Sequence, residues 1–124
     1  MRLLSTLLIL LIFTSCYQVE RNCSKFKTGT FQFEAVSGTE IFTTRIIRND
    51  SMEIEYFKDQ VDTATVRWIN DCEYILQKLN PKNKAEKKAI HIKILTTDKN
   101  TYTFEFKAIG NSSRSKATAT KISN

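Results

Sequence analysis

The 124-residue chain holds one histidine, one proline, one tryptophan and only three glycines. With one histidine and three cysteines it offers no His/Cys cluster at metal-ligand spacing. Asp59, Asp62 and Asp71 do not fit a calcium loop, so neither a metal nor a cofactor is expected. Three scattered glycines exclude a Gly-rich phosphate loop. His91 lies between Ile90 and Ile92 and so alternates away from the apolar side of its segment. No nucleophile–base pair can be drawn from it, and the chain is expected not to be an enzyme. Its most apolar stretch, Leu3 to Phe13, is short of the ~20 residues a transmembrane helix requires.

What is present starts with Arg2, that apolar stretch, the small pair Thr14 and Ser15, and then Cys16. A positive residue, a short apolar core and small residues before a boundary make a secretory signal. The Ser15-Cys16 site resembles the lipobox of bacterial lipoproteins, with Phe13 where that pattern usually has leucine. The resemblance implies cleavage after residue 15, acylation (palmitate) of Cys16, and a membrane as partner through that lipid. Tyr17 and Gln18 carry no inner-membrane retention aspartate, which directs the expectation to the outer membrane of a bacterial envelope. Taking residues 1–15 from 124 leaves 109, and losing Arg2 takes the net charge from +6 to +5. That is enough chain for one domain. With Cys16 acylated, Cys23 and Cys72 remain as an even pair in an oxidising compartment, and a disulfide between them is expected.

Beyond the polar stretch that ends at Asn22, the dominant signal has period two. Phe31 and Phe33 alternate with Gln32 and Glu34; Ile54 and Tyr56 with Glu53 and Glu55; Val66 and Trp68 with Arg67. The same holds for Tyr74 beside Glu73, Ile92 and Ile94 around Lys93, and Phe104 and Phe106 around Glu105. Short turn clusters separate these runs, which predicts eight strands near 27–36, 41–48, 51–57, 61–69, 72–79, 89–98, 101–109 and 114–122. Pro81 interrupts the pattern, and a short helical turn is expected near 81–89. One apolar side per strand must be covered, so the all-β antiparallel meander is expected to close into a small barrel. The expected division is a signal peptide over 1–15, a lipidated tether over 16–22, and a single β-barrel domain over 23–124.

Alternation assigns Phe33, Ile54, Tyr56, Val66, Trp68, Tyr74, Ile92, Phe104 and Phe106 to the interior. Gln32, Glu53, Glu55, Arg67, Glu73, Lys93, Glu105 and Lys107 are assigned to solvent. The candidate ligand-lining set is Phe31, Phe33, Ile54, Tyr56, Trp68, Tyr74, Phe104 and Phe106, aromatic walls with hydroxyl and indole handles. Lys78, Lys82, Lys84, Lys87 and Lys88 form a candidate patch for an anionic partner. Export makes nucleic acid an unsuitable partner, and a monomer is expected.

Two resemblances extend this reading. Gly29-Thr30-Phe31 resembles the Gly-x-Trp opening of lipocalin-like barrels, with phenylalanine in place of tryptophan. That pattern implies an arginine late in the chain against the ring, and Arg114 is the nearest match. Ser15-Cys16, Cys23 to Gly29, Arg67 to Tyr74 and Leu79 to Lys82 resemble a group of small Bacteroidetes-type envelope lipoproteins of unassigned function. Some similar proteins carry a topoisomerase label, which 109 exported residues without a nucleotide loop do not support. The expectation is therefore a small apolar or amphipathic ligand bound in a lipocalin-like barrel. The alternative is a protein-binding module with a filled core, acting on an envelope protein as an inhibitor or assembly accessory factor.

Overall fold

Alternation runs almost unbroken from Gly29 onward, and each alternating run becomes one strand. In the computed structural model, which describes residues 21–124, these are β1 (Gly29–Ser37), β2 (Glu40–Arg48), β3 (Met52–Phe57) and β4 (Gln60–Asn70), followed by β5 (Glu73–Lys78), β6 (Ile90–Asp98), β7 (Thr101–Ala108) and β8 (Ser115–Ser123). The signal segment, Cys16 and the tether as far as residue 20 lie outside the described residues. Each strand pairs antiparallel with the next and β8 returns to β1, so the meander closes into a barrel. Closure leaves no sheet edge open. This is the all-β architecture that the alternation predicts, with strand ends within two residues of expectation.

Local chemistry places the turns. Asn49 Oδ1 accepts from the Ser51 and Met52 amides at 3.0 and 2.8 Å, and Asn70 Oδ1 accepts from Cys72 N at 2.9 Å. The expected helical turn is Lys84–Lys87, capped by Asn83 Oδ1 on Glu86 N at 2.9 Å. Gly29, at φ 134°, begins β1 where a Cβ would sit 2.7 Å from the Ser123 carbonyl oxygen of β8. Only glycine fits that approach.

The barrel has two unlike ends. Because an antiparallel meander alternates its connections, the loops at 38–39, 58–59, 79–89 and 109–114 share one end, the mouth. The opposite end is closed by the 3-10 turn Cys23–Phe26, whose Phe26 is buried against Tyr102 with ring centres 5.0 Å apart. Cys23 is disulfide-bonded to Cys72 in the β4–β5 turn, with Cα atoms 5.3 Å apart. The expected pairing is present, and it fastens the plug to the wall.

The core holds Phe31, Ile46, Val66, Tyr74, Ile92, Ile94, Tyr102 and Phe104, with Phe33, Trp68 and Leu76 packed against it. One strand reverses the expected faces. In β3, Glu53 and Glu55 point into the barrel, while Ile54 and Tyr56 lie outside. The cause is the pairing with β2: Arg48 stands opposite Glu53 and Ile46 opposite Glu55, whereas Ile47 stands opposite Ile54 and Arg45 opposite Tyr56. Arg48 and Ile46 are buried, and directly opposed residues share a face. The alternation of β3 suits either face, and a one-residue difference in register inverts all of it. The buried Arg48–Glu53 pair decides the register, so Ile54 and Tyr56 are not interior residues and the two glutamates are not on the wet side.

Candidate functional site

At the floor of the barrel, above the plug, sits Arg48, 2 % exposed. Its Nη1 donates to Glu53 Oε2 at 3.0 Å and to the Tyr74 hydroxyl at 2.6 Å. Its Nη2 donates to the Phe26 carbonyl at 2.8 Å and to the Tyr102 hydroxyl at 3.2 Å, and Nε reaches the Lys27 carbonyl at 3.2 Å. The guanidinium also lies over the Phe31 ring, 4.4 Å from its centre. Burial works against this charge, but Tyr74, Tyr102 and Glu53 outweigh it, so the Arg48 pKa is raised. The partners pull differently: burial pushes Glu53 above the usual carboxylate range, and Arg48 only partly opposes it. The arginine governs the pair, because a guanidinium does not deprotonate in proteins and needs an anion beside it. Burial likewise raises the Tyr74 and Tyr102 hydroxyls, which remain neutral donors and acceptors. The arginine on the Phe31 ring is thus Arg48; Arg114 instead donates to Glu105 on the outer surface.

Above this floor the interior is not filled. A cavity of about 240 Å³ is walled by Phe33, Ile46, Leu76, Ile90, Ile92, Phe104 and Phe106, with Tyr74 and Tyr102 at its base and Glu53 and Glu55 on one side. A second space of about 430 Å³ occupies the mouth, bounded by Asp62, Lys78 and the helical turn with Asn83 and Glu86. The two spaces share Glu53, Glu55, Leu76 and Ile90 as walls. Of the expected ligand-lining set, Phe33, Tyr74, Phe104 and Phe106 line the cavity. Phe31 is buried beneath it, and Trp68 packs on Tyr74 at 4.5 Å between ring centres. Trp68 Nε1 is buried and, among the described residues, has no hydrogen-bond partner. Ile54 and Tyr56 are outside the barrel wall.

Charge at the mouth is largely paired. Lys78, expected in a solvated patch, points inward from β5 and meets Glu86 Oε1 at 2.9 Å and Asp62 Oδ2 at 3.4 Å. It therefore leaves the candidate anion-binding patch, whereas Lys82, Lys84, Lys87 and Lys88 are exposed on the loop over the mouth. Bonding from Lys78 and the Lys82 amide lowers the Glu86 pKa. His91 is on the outer wall, 3.0 Å from Glu73 Oε1. Among the described residues, no group of three or more His, Cys, Asp or Glu side chains is arranged to hold a metal ion.

Glu55 differs from its neighbours because it enters none of the ion pairs formed among the described residues. Burial raises its pKa, and the nearby Glu53 and Asp62 charges add to the rise against the pull of Lys78. A carboxyl with a raised native pKa binds its proton more tightly folded than unfolded. Its contribution to stability is therefore greatest below the ordinary carboxylate value and declines as pH rises through the raised one. Glu55→Gln should flatten that decline: from about pH 4 to pH 7 the variant's melting temperature should gain on that of the parent protein. Parallel melting curves over that range would contradict the assignment.

The β2–β3 hairpin carries one clue to this floor that is legible in the sequence. Arg48 and Glu53 flank the Asn49-Asp50-Ser51 turn at positions that a tight hairpin brings opposite each other, with opposite charges. Ile46, Leu76, Ile90 and Tyr102 carry no such mark, since apolar strand residues are common to every wall. Fold and site together define a small eight-stranded closed β-barrel, plugged at one end, with an apolar cavity and a carboxylate at the other. No protein-family model, curated protein or solved structure matches this chain.

Proposed function

We propose that this chain is an envelope lipoprotein whose lipocalin-like barrel binds a small apolar or amphipathic molecule through its mouth. The observation that carries the reading is the unfilled interior: eight strands' worth of inward side chains leave a partly open space of about 240 Å³ walled mainly by aromatic and aliphatic side chains. Alone it lies just under the ~300–1,000 Å³ of drug-sized sites, and the adjoining mouth extends it. The chain enters at the opposite, closed end, where Arg21 Nη2 donates to the Ile94 carbonyl at 2.9 Å and the Asn22 amide to Thr97 Oγ1 at 2.7 Å. A lipid on Cys16 would thus leave the mouth unobstructed. The disulfide is in keeping with export to an oxidising compartment.

The test is titration with the neutral dye N-phenylnaphthylamine. The protein should enhance its fluorescence at one saturable site, and Leu76→Trp, which adds bulk to a shared wall of both spaces, should weaken that binding about tenfold or more. Filling the space should leave the fold intact, because overpacking costs only about 1–3 kcal/mol. Unchanged dye binding in Leu76→Trp would place the dye elsewhere. If no apolar probe binds, the protein-partner reading takes precedence, supported by the outward stripe of Ile47, Ile54, Tyr56 and Val61 that the reversed β3 presents on the outer wall.

A further inference from the structure

The cavity's walls and its charges together indicate a class of ligand. We infer that the barrel takes a cationic amphiphile, an alkyl or arylalkyl amine whose apolar body lies against Phe33, Ile92, Phe104 and Phe106 and whose ammonium meets Glu55. The inference rests on the ligand-binding reading above and adds the sign of the head group.

The argument is one of pairing. Arg48 answers Glu53 at 3.0 Å, and Lys78 answers Glu86 and Asp62 at 2.9 and 3.4 Å. Glu55 borders both the inner cavity and the mouth, and no cation of the described residues lies in ion-pair distance of it. The other charged side chain on these walls, Lys88, is exposed to water at the lip. An anionic head group such as a fatty-acid carboxylate would face Glu55, the carboxylate on these walls without a pairing cation among the described residues, a like-charge arrangement in a partly dehydrated site. An ammonium reverses that sign, and Phe104 and Phe106 line the same cavity. The deep arginine does not rescue an anion, because its donors are already directed to Glu53, Tyr74, Tyr102 and two plug carbonyls.

The experiment is calorimetric titration of the folded protein at neutral pH with octylamine, octanol and octanoate, which share a tail and differ in head-group charge. The expected order is octylamine tightest, octanol weaker, octanoate weakest. Octylamine should exceed octanol by about tenfold or more, the scale of a hydrogen-bonded charge pair. In Glu55→Gln the octylamine advantage should vanish while octanol binding persists. The head-group ranking of the parent protein tests the inference even if that variant does not fold. Equal binding of all three, or preference for octanoate, overturns the cationic assignment and leaves the cavity reading standing. Failure of all three to bind overturns both.

Discussion

Arg48→Ala is expected to destabilise the protein by about 3–5 kcal/mol, the range for breaking a buried ion pair by removing one partner. The substitution leaves Glu53, 4 % exposed, as an uncompensated carboxylate in the barrel floor. It also frees the Phe26 and Lys27 carbonyls and the Tyr74 and Tyr102 hydroxyls from their donor. Glu53→Ala alone should also be severe, because it leaves the guanidinium buried without its anion. The double variant should lose less than the two singles combined, since neither charge is then stranded. Urea denaturation of the four proteins measures the coupling. An Arg48→Ala midpoint close to that of the parent would show that the floor does not depend on this pair. Loss of a large part of the stability is the outcome the geometry requires, because small domains have only about 5–15 kcal/mol in total.

Removing the Cys23–Cys72 bridge is expected to cost about 2–5 kcal/mol. The cysteines are 49 residues apart in sequence, and the chain-entropy treatment assigns a loop of that size about 4 kcal/mol. Structure adds a local effect. Cys23 belongs to the 3-10 turn that plugs the barrel, so cutting the bond should loosen the plug before the sheet. In Cys23→Ser/Cys72→Ser, the amides of residues 23–28 should exchange with deuterium faster than those of β6 and β7. Arg48 holds the same plug through the Phe26 and Lys27 carbonyls, so its loss and the loss of the disulfide should not be independent. A double-serine variant with unchanged melting and uniform exchange would refute this account of the closed end.

The candidate site was only half legible, and the reason is physical. Phe33, Tyr74, Phe104 and Phe106 lie on strands whose alternation matches the observed faces, so alternation alone placed them correctly. Alternation placed Lys78 on the inward face of β5 with Tyr74 and Leu76, but its charge suggested solvent, because the partners that hold it come from β4 and the helical turn, distant in sequence or across a proline. Arg114 was the nearest late arginine to a lipocalin-type pattern, yet the ring of Phe31 is covered from β2 by Arg48. A cation–π contact depends on which strands adjoin, and closure brings β1 against β2 and β8 alike.

By itself the amino-acid sequence determined the eight strands, their turns, the meander order and the pairing of Cys23 with Cys72. Period-two alternation and turn residues are local properties that survive without knowledge of the fold, and the Cys23–Cys72 pairing was expected from the three cysteines once the lipobox resemblance set Cys16 apart. Only the tertiary structure decided which face of β3 turns inward, that Glu55 borders an unfilled cavity without a pairing cation, and that Lys78 belongs to the mouth. Those depend on register between strands and on how side chains from opposite walls fill one volume. A pattern that fits both faces equally well is resolved only when a partner on the adjoining strand, here Arg48 of β2, chooses between them.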